Sequence, residues 1–288
     1  MLYYFLPQPT IHGGIKVGFQ FASMLRKIGA EVAMVTPNGS APSWFPSNLT
    51  VLRRERVLPI LTKTDKVLFS HPRDYQDLEK TGAKLILHCQ GTDESILPIV
   101  YDKKVELLAC WEQAENFFQE HSRQGENVGI SISEVFFYNG QLKKPGSYSI
   151  MPRRGTLHNE EELVGFEKRV IDNCTEKETG EILKSVSGFI ALVENEGFGL
   201  PALEAMAAGC LVVSPRTIGG GEYLTHGINC LISEVEDLSG IMKELLSSES
   251  NHEELRFAAM KTASAYHPRT QLGHLRRKIE SGGLKWLH

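Results

Sequence analysis

The chain has 288 residues, with 31 Lys and Arg against 35 Asp and Glu, a net charge of −4 and 41% hydrophobic residues. That is enough to bury one large core or two smaller ones, and it excludes a disulfide-stapled miniprotein and a disordered chain. The mildly acidic balance lacks the basic face that nucleic acid calls for. Five scattered cysteines without a Cys-x-x-Cys pair suggest neither a disulfide framework nor structural zinc.

In chain order, the pattern predicts a strand over 2–6, a helix over 15–28 and a strand over 31–36, which is a βαβ beginning. Further short strands follow at 67–70, 84–88 and 106–110, with helices over 72–80 and 112–123. A polar stretch at 119–127 then breaks the alternation. A second series has strands at 128–132, 148–151, 188–192 and 211–214, and helices near 160–173, 177–186, 200–208, 235–247 and 252–265. A last helix is expected over 270–281. Strands alternating with helices imply parallel sheets covered on both faces.

The expected fold class is therefore α/β, with two Rossmann-like domains whose parallel sheets face a central cleft. The boundaries are 1–125 for the first domain and 126–268 for the second, with a last segment at 269–288. Open α/β sheets bind ligands beyond the carboxyl ends of their strands. The apolar run at 2–6 is too short for a signal peptide, and no run approaches the roughly 20 apolar residues of a membrane span. A cytoplasmic location is expected, with peripheral membrane contact and homo-oligomerisation left open.

The most informative segment runs from Glu194 to Gly209. It reads as a loop with two glycines after a strand, followed by a helix that opens at Leu200 and Pro201, where proline's missing N–H costs nothing. Gly197 and Gly199 let the backbone approach a ligand, and free amides at the helix start favour an anion or a hydroxyl-rich group. Glu196 and Glu204 are placed to accept paired hydrogen bonds from vicinal hydroxyls. A capped amphipathic helix carrying solvated acids fits the pattern equally well.

The run Glu196-Gly197-Phe198-Gly199-Leu200-Pro201-Ala202-Leu203-Glu204, continued through Gly209 and by Gly219-Gly220-Gly221-Glu222-Tyr223, resembles the glutamate-x7-glutamate signature of retaining glycosyltransferase family 4. The resemblance implies a GT-B fold, with the first domain on the acceptor side, the second on the nucleotide-sugar donor side, and the helix within 269–288 expected to cross back to the first. It also implies a nucleotide-diphosphate sugar as donor, transfer to a glycan, lipid-linked or small-molecule hydroxyl acceptor, and no metal or other cofactor. In such enzymes the counterpart of Glu204 binds the nucleotide ribose and that of Glu196 contacts the transferred sugar. The amides of Gly197, Phe198, Gly199 and Leu200 would hold hydroxyls and phosphate.

Three further segments resemble family features. His12-Gly13-Gly14, between the first strand and first helix, is similar to the N-terminal glycine loop, although a Gly-Gly at such a turn is often only a turn. Arg153 and Arg154 stand where the family places basic residues against the donor diphosphate, which arginine's planar fork suits. Here they are adjacent, whereas the family more often spaces an arginine and a lysine by several residues. His88, at a strand end, resembles a histidine near the donor sugar and is a candidate catalytic residue with Glu196 and Arg153; a structural histidine fits as well.

The chain contains no Asp-x-Asp, the divalent-metal clamp of the other main glycosyltransferase architecture, and no P-loop, Gly-x-Ser-x-Gly or His-Glu-x-x-His motif. A run at Arg53-Arg54-Glu55-Arg56 reads as a solvated face or as a site for a phosphorylated acceptor. The rival readings are a nucleotide-sugar epimerase or hydrolase on the same plan, and a non-catalytic nucleotide-sugar-binding partner of a transferase.

Overall fold

The computed structural model describes residues 1–153, 155–194 and 196–287, so Arg154 lies outside the described residues. The chain divides into two compact units, Met1–Ser131 together with the segment from Arg269 onward, and Ile132–Pro268. No helix among the described residues is long and apolar enough to cross a membrane.

The first unit holds β1 (Leu2–Phe5), α1 (Gly13–Lys27), β2 (Val32–Thr36), β3 (Val51–Arg53), α2 (Arg54–Val57), β4 (Lys66–Phe69), α3 (Pro72–Leu78), β5 (Lys84–Cys89), α4 (Leu97–Tyr101), β6 (Glu106–Ala109), α5 (Glu112–Glu120) and β7 (Glu126–Asn127). Its seven strands are parallel in the order β3-β2-β1-β4-β5-β6-β7. All five β2 residues are buried, four of them apolar, as in a strand covered on both faces. The apolar side of α1, including Phe19, Phe21 and Leu25, closes the core over β1 and β2.

The second unit holds β8 (Lys144–Ile150), β9 (Glu167–Val170), α6 (Glu176–Ser185), β10 (Val186–Ile190), α7 (Leu200–Ala207), β11 (Leu211–Ser214), β12 (Leu231–Ile232), α8 (Leu238–Ser247) and α9 (Glu253–Ser264). Its strands are also parallel, in the order β12-β11-β10-β8-β9. Tyr148, Ile190, Val213, Leu238 and Met242 fill its core. The chain then returns: α10 (Pro268–Glu280) sends Leu275 into the first unit's core, and Leu284 and Trp286 follow it.

Two expected elements are corrected. The strand placed at 128–132 is displaced: the pairing segment is Glu126–Asn127, which completes the first sheet beside β6. Val128 adds one bond to the Ala109 carbonyl (2.9 Å), and the Asn127 side chain then accepts from the Gly129 amide (2.9 Å), turning the chain out of the ladder. The helix placed at 160–173 is one 3₁₀ turn at Glu160–Leu163 followed by β9. Gly165, at φ 98°, ends the helical course, and the charged stretch beyond it pairs along β8 as an edge strand. Ion pairs of Lys144 with Glu167 and of Lys168 with Glu160 line that edge. The pairing strands β3 and β12 carry no pattern strong enough to have been read from the sequence.

Candidate functional site

In the second sheet the strand order reverses between β8 and β10, so the chain leaves these neighbours in opposite directions and opens a crevice at their carboxyl ends. Met151 and Arg153 follow β8 into that crevice, and residues 191–194 and 196–199 follow β10. Arg153, Glu196 and Gly199 line one pocket there, with Met151, Leu192, Thr217 and Tyr223 as walls. Arg153 is exposed and Glu196 half-buried at that pocket.

Local chemistry sets the turn. Gly199 is the residue before α7 and sits in the left-handed region (φ 82°, ψ 44°), where a side chain would be strained. Leu200 and Pro201 open the helix, leaving first-turn amides without carbonyls a turn behind them and a partial positive charge at that end. At the other end Cys210 donates to Ala205 (2.9 Å) and Gly209 to Met206 (3.0 Å), a Schellman closure. The loop carrying Gly219 lies against the same turn so tightly that a Cβ at 219 would stand 1.9 Å from the Gly197 carbonyl oxygen.

The predicted residues do not all play alike. Gly197 is exposed and Leu200 half-buried, so their backbones are accessible. Phe198 is 5% exposed, its ring turned inward against Tyr223 and Tyr266 (centroids 5.3 and 5.6 Å), so a ligand would meet its main chain. Glu204 is 7% exposed on α7, behind the turn rather than on the pocket wall. It nevertheless shares a neighbourhood with Glu196. Burial, then Tyr266, Cys230 and the charges of Glu196 and Glu204, push the Tyr223 phenol well above its usual range. Tyr223 has no expected role in sequence; an aromatic after a glycine cluster is its one local signal.

In the first unit the strand order reverses between β1 and β4, and Gly13 and Gly14 begin α1 beside that point. His12 caps the helix, its Nδ1 accepting from the Gly14 amide (3.1 Å). Gln90, at the end of β5, stands so close that a Cβ on Gly14 would lie 2.5 Å from its side-chain oxygen.

His88 is corrected by the structure. It is 0% exposed, stacked on Phe21 at 4.3 Å, with Nδ1 against the Tyr4 hydroxyl and Nε2 3.0 Å from Cys110 Sγ. Burial pushes its imidazole down to about 3, so it is neutral at pH 7. A side chain with both ring nitrogens engaged inside the core is not offered to a ligand. Of the Arg53 to Arg56 run, Arg54 is held by Asp74 and Asp77, which ties α2 to α3.

Residues 157–262, all within the second unit, match the family model described as glycosyl transferases group 1. No curated protein matches the chain significantly in sequence. Among solved structures, sucrose-phosphate synthase from Thermosynechococcus elongatus superposes with a TM-score of 0.72 at 12% identity, covering 98% of this chain and 99% of that one. Anabaena HepE in complex with UDP-glucose gives 0.71 at 11% identity, over 97% and 99%. WaaG, a glycosyltransferase involved in lipopolysaccharide biosynthesis, gives 0.65 at 12%, over 98% and 100%. The fold is thus the α/β, parallel-sheet architecture of the GT-B glycosyltransferases.

Proposed function

We propose that the chain is a retaining, metal-independent glycosyltransferase that moves a sugar from a nucleotide-diphosphate sugar to a hydroxyl acceptor. The observation that carries this reading is one pocket, at the switch point of the second sheet, lined by an arginine, a carboxylate and the turn that opens a helix. Arg153 pairs the diphosphate, and the amides of Gly197, Phe198, Gly199 and Leu200 add fixed dipoles where charge grows on the leaving group. Glu196 accepts from hydroxyls of the transferred sugar, and Glu204 from the ribose. Gly13 and Gly14 serve the first unit's part of substrate binding.

In the reaction the anomeric carbon–oxygen bond to the diphosphate breaks and a bond to the acceptor oxygen forms on the same face. The acceptor's proton passes to an oxygen of the departing diphosphate, so no protein nucleophile is required. The proposed setting is the cytoplasm, where the five cysteines persist as thiols. A thermal-shift screen of UDP-, GDP- and ADP-sugars identifies the donor, because a ligand of the native state raises Tm by mass action. NMR of the product then reads the anomeric configuration, with and without EDTA. Inverted product overturns retention, EDTA-sensitive turnover overturns metal independence, and donor consumption that never yields a glycoside overturns transfer.

A further inference from the structure

We propose that Tyr223 is the positioning residue of this pocket: its phenol clamps the Gly199 carbonyl and thereby aims the Leu200 amide at the donor diphosphate. The inference rests on the donor reading above for the identity of the ligand, but the clamp itself is a feature of the turn's own geometry.

The Tyr223 hydroxyl donates to the Gly199 carbonyl oxygen at 2.5 Å, and both are buried. That carbonyl also accepts from its helical partner, the Leu203 amide, but at a longer 3.4 Å. The phenol is therefore its principal partner. A peptide unit is planar and trans, so the carbonyl of Gly199 and the N–H of Leu200 point in opposite directions and turn together. Holding the oxygen on one side fixes the direction of the N–H on the other. Gly199 is the residue at which such fixing matters, because its left-handed conformation leaves glycine's wide range of neighbouring states accessible.

The phenol is itself immobilised. Its ring packs against Phe198 and Tyr266, and the Tyr223 carbonyl accepts from Asn229 Nδ2 (2.7 Å), which also donates to Thr262 on α9 (2.9 Å). Upstream, Thr217 Oγ1 accepts from the Gly220 amide (3.1 Å), fixing the start of the same loop. A residue held from α9 thus reaches across to the turn before α7. The raised pKa keeps the hydroxyl protonated and able to donate throughout the physiological range.

The test is Tyr223→Phe, which keeps the ring and removes the donor. In the ligand-free protein, hydrogen exchange of the peptide covering 196–203 should quicken about fivefold, the loss of one net hydrogen bond, while peptides from the first unit are unchanged. By calorimetry, affinity for UDP-glucose and UDP should fall about fivefold and affinity for uridine should not move; uniform loss for all three would show a merely structural residue. Unchanged exchange at 196–203 overturns the clamp whatever binds. Quickened exchange in a protein that binds no nucleotide sugar upholds the clamp and overturns the donor reading instead.

Discussion

The two units solve the same problem with opposite economies. Each has a parallel sheet whose strand order reverses once, and each brings glycines to the helix that starts at that reversal. In the first, the polar groups near the strand ends turn inward: Gln90 Nε2 donates to the Tyr4 hydroxyl (3.3 Å), Tyr4 lies against His88, and His88 meets Cys110. In the second they line a pocket, with Arg153 and Glu196 on its wall and Tyr223 bonded to the Gly199 carbonyl. The contrast teaches that a strand-end histidine is not evidence of chemistry by itself. What decides is whether its nitrogens are already satisfied, and at His88 both are.

The contrast breaks most visibly at His88. Replacing it with alanine should cost about 3 kcal/mol of stability, by cavity and by stranding Tyr4, and leave nucleotide affinity in the second unit unchanged. Its depressed pKa gives a pH signature. An unfolded histidine takes its proton near 6.5 and the native one near 3, so stability is full above about 6.5 and falls by about 1.4 kcal/mol per unit as pH drops below it. Denaturant titrations at pH 7.5, 6 and 5 should show that ramp in the parent and a flatter one in His88→Ala. A loss of nucleotide binding in His88→Ala would return the residue to the site.

On the other side, Arg153→Ala should leave Tm nearly unchanged, because the side chain is exposed, and lower affinity for a nucleoside diphosphate roughly thirtyfold relative to the nucleoside. Equal loss for both ligands removes the phosphate role. The smallest effect is expected at Glu204. Glu204→Gln retains the side chain's shape and one acceptor, so nucleotide affinity should fall only about fivefold in calorimetry, with the circular dichroism spectrum unchanged. A variant that binds as the parent does would take Glu204 out of the site.

Much of this was legible in the sequence because parallel strands covered on both faces announce themselves as unbroken apolar runs, as at β1, β2 and β11. The α7 turn was legible for a different reason: Gly199, Pro201 and Gly209 punctuate it with residues that only certain backbone conformations favour. The same burial on both faces hid the direction of His88, since a strand without a polar face offers no alternation from which to read where a side chain points. β9 was hidden because an edge strand needs charge more than apolarity, and Glu167-Lys168-Arg169 reads as helix surface. Tyr223 was hidden because its partner is a main-chain carbonyl, 24 residues away, that leaves no trace in side-chain pattern.

The return of α10 makes the first unit discontinuous in sequence, and this bears on how the chain is built on the ribosome. The second unit has all its strands and helices once residue 268 has emerged, whereas the first still lacks Leu275, Leu284 and Trp286 from its core at that moment. The half that is synthesised first is therefore completed last. Until the segment 269–287 has left the exit tunnel, the first unit's core lacks the side chains that this segment supplies, and its apolar surface is open to nascent-chain chaperones for that interval.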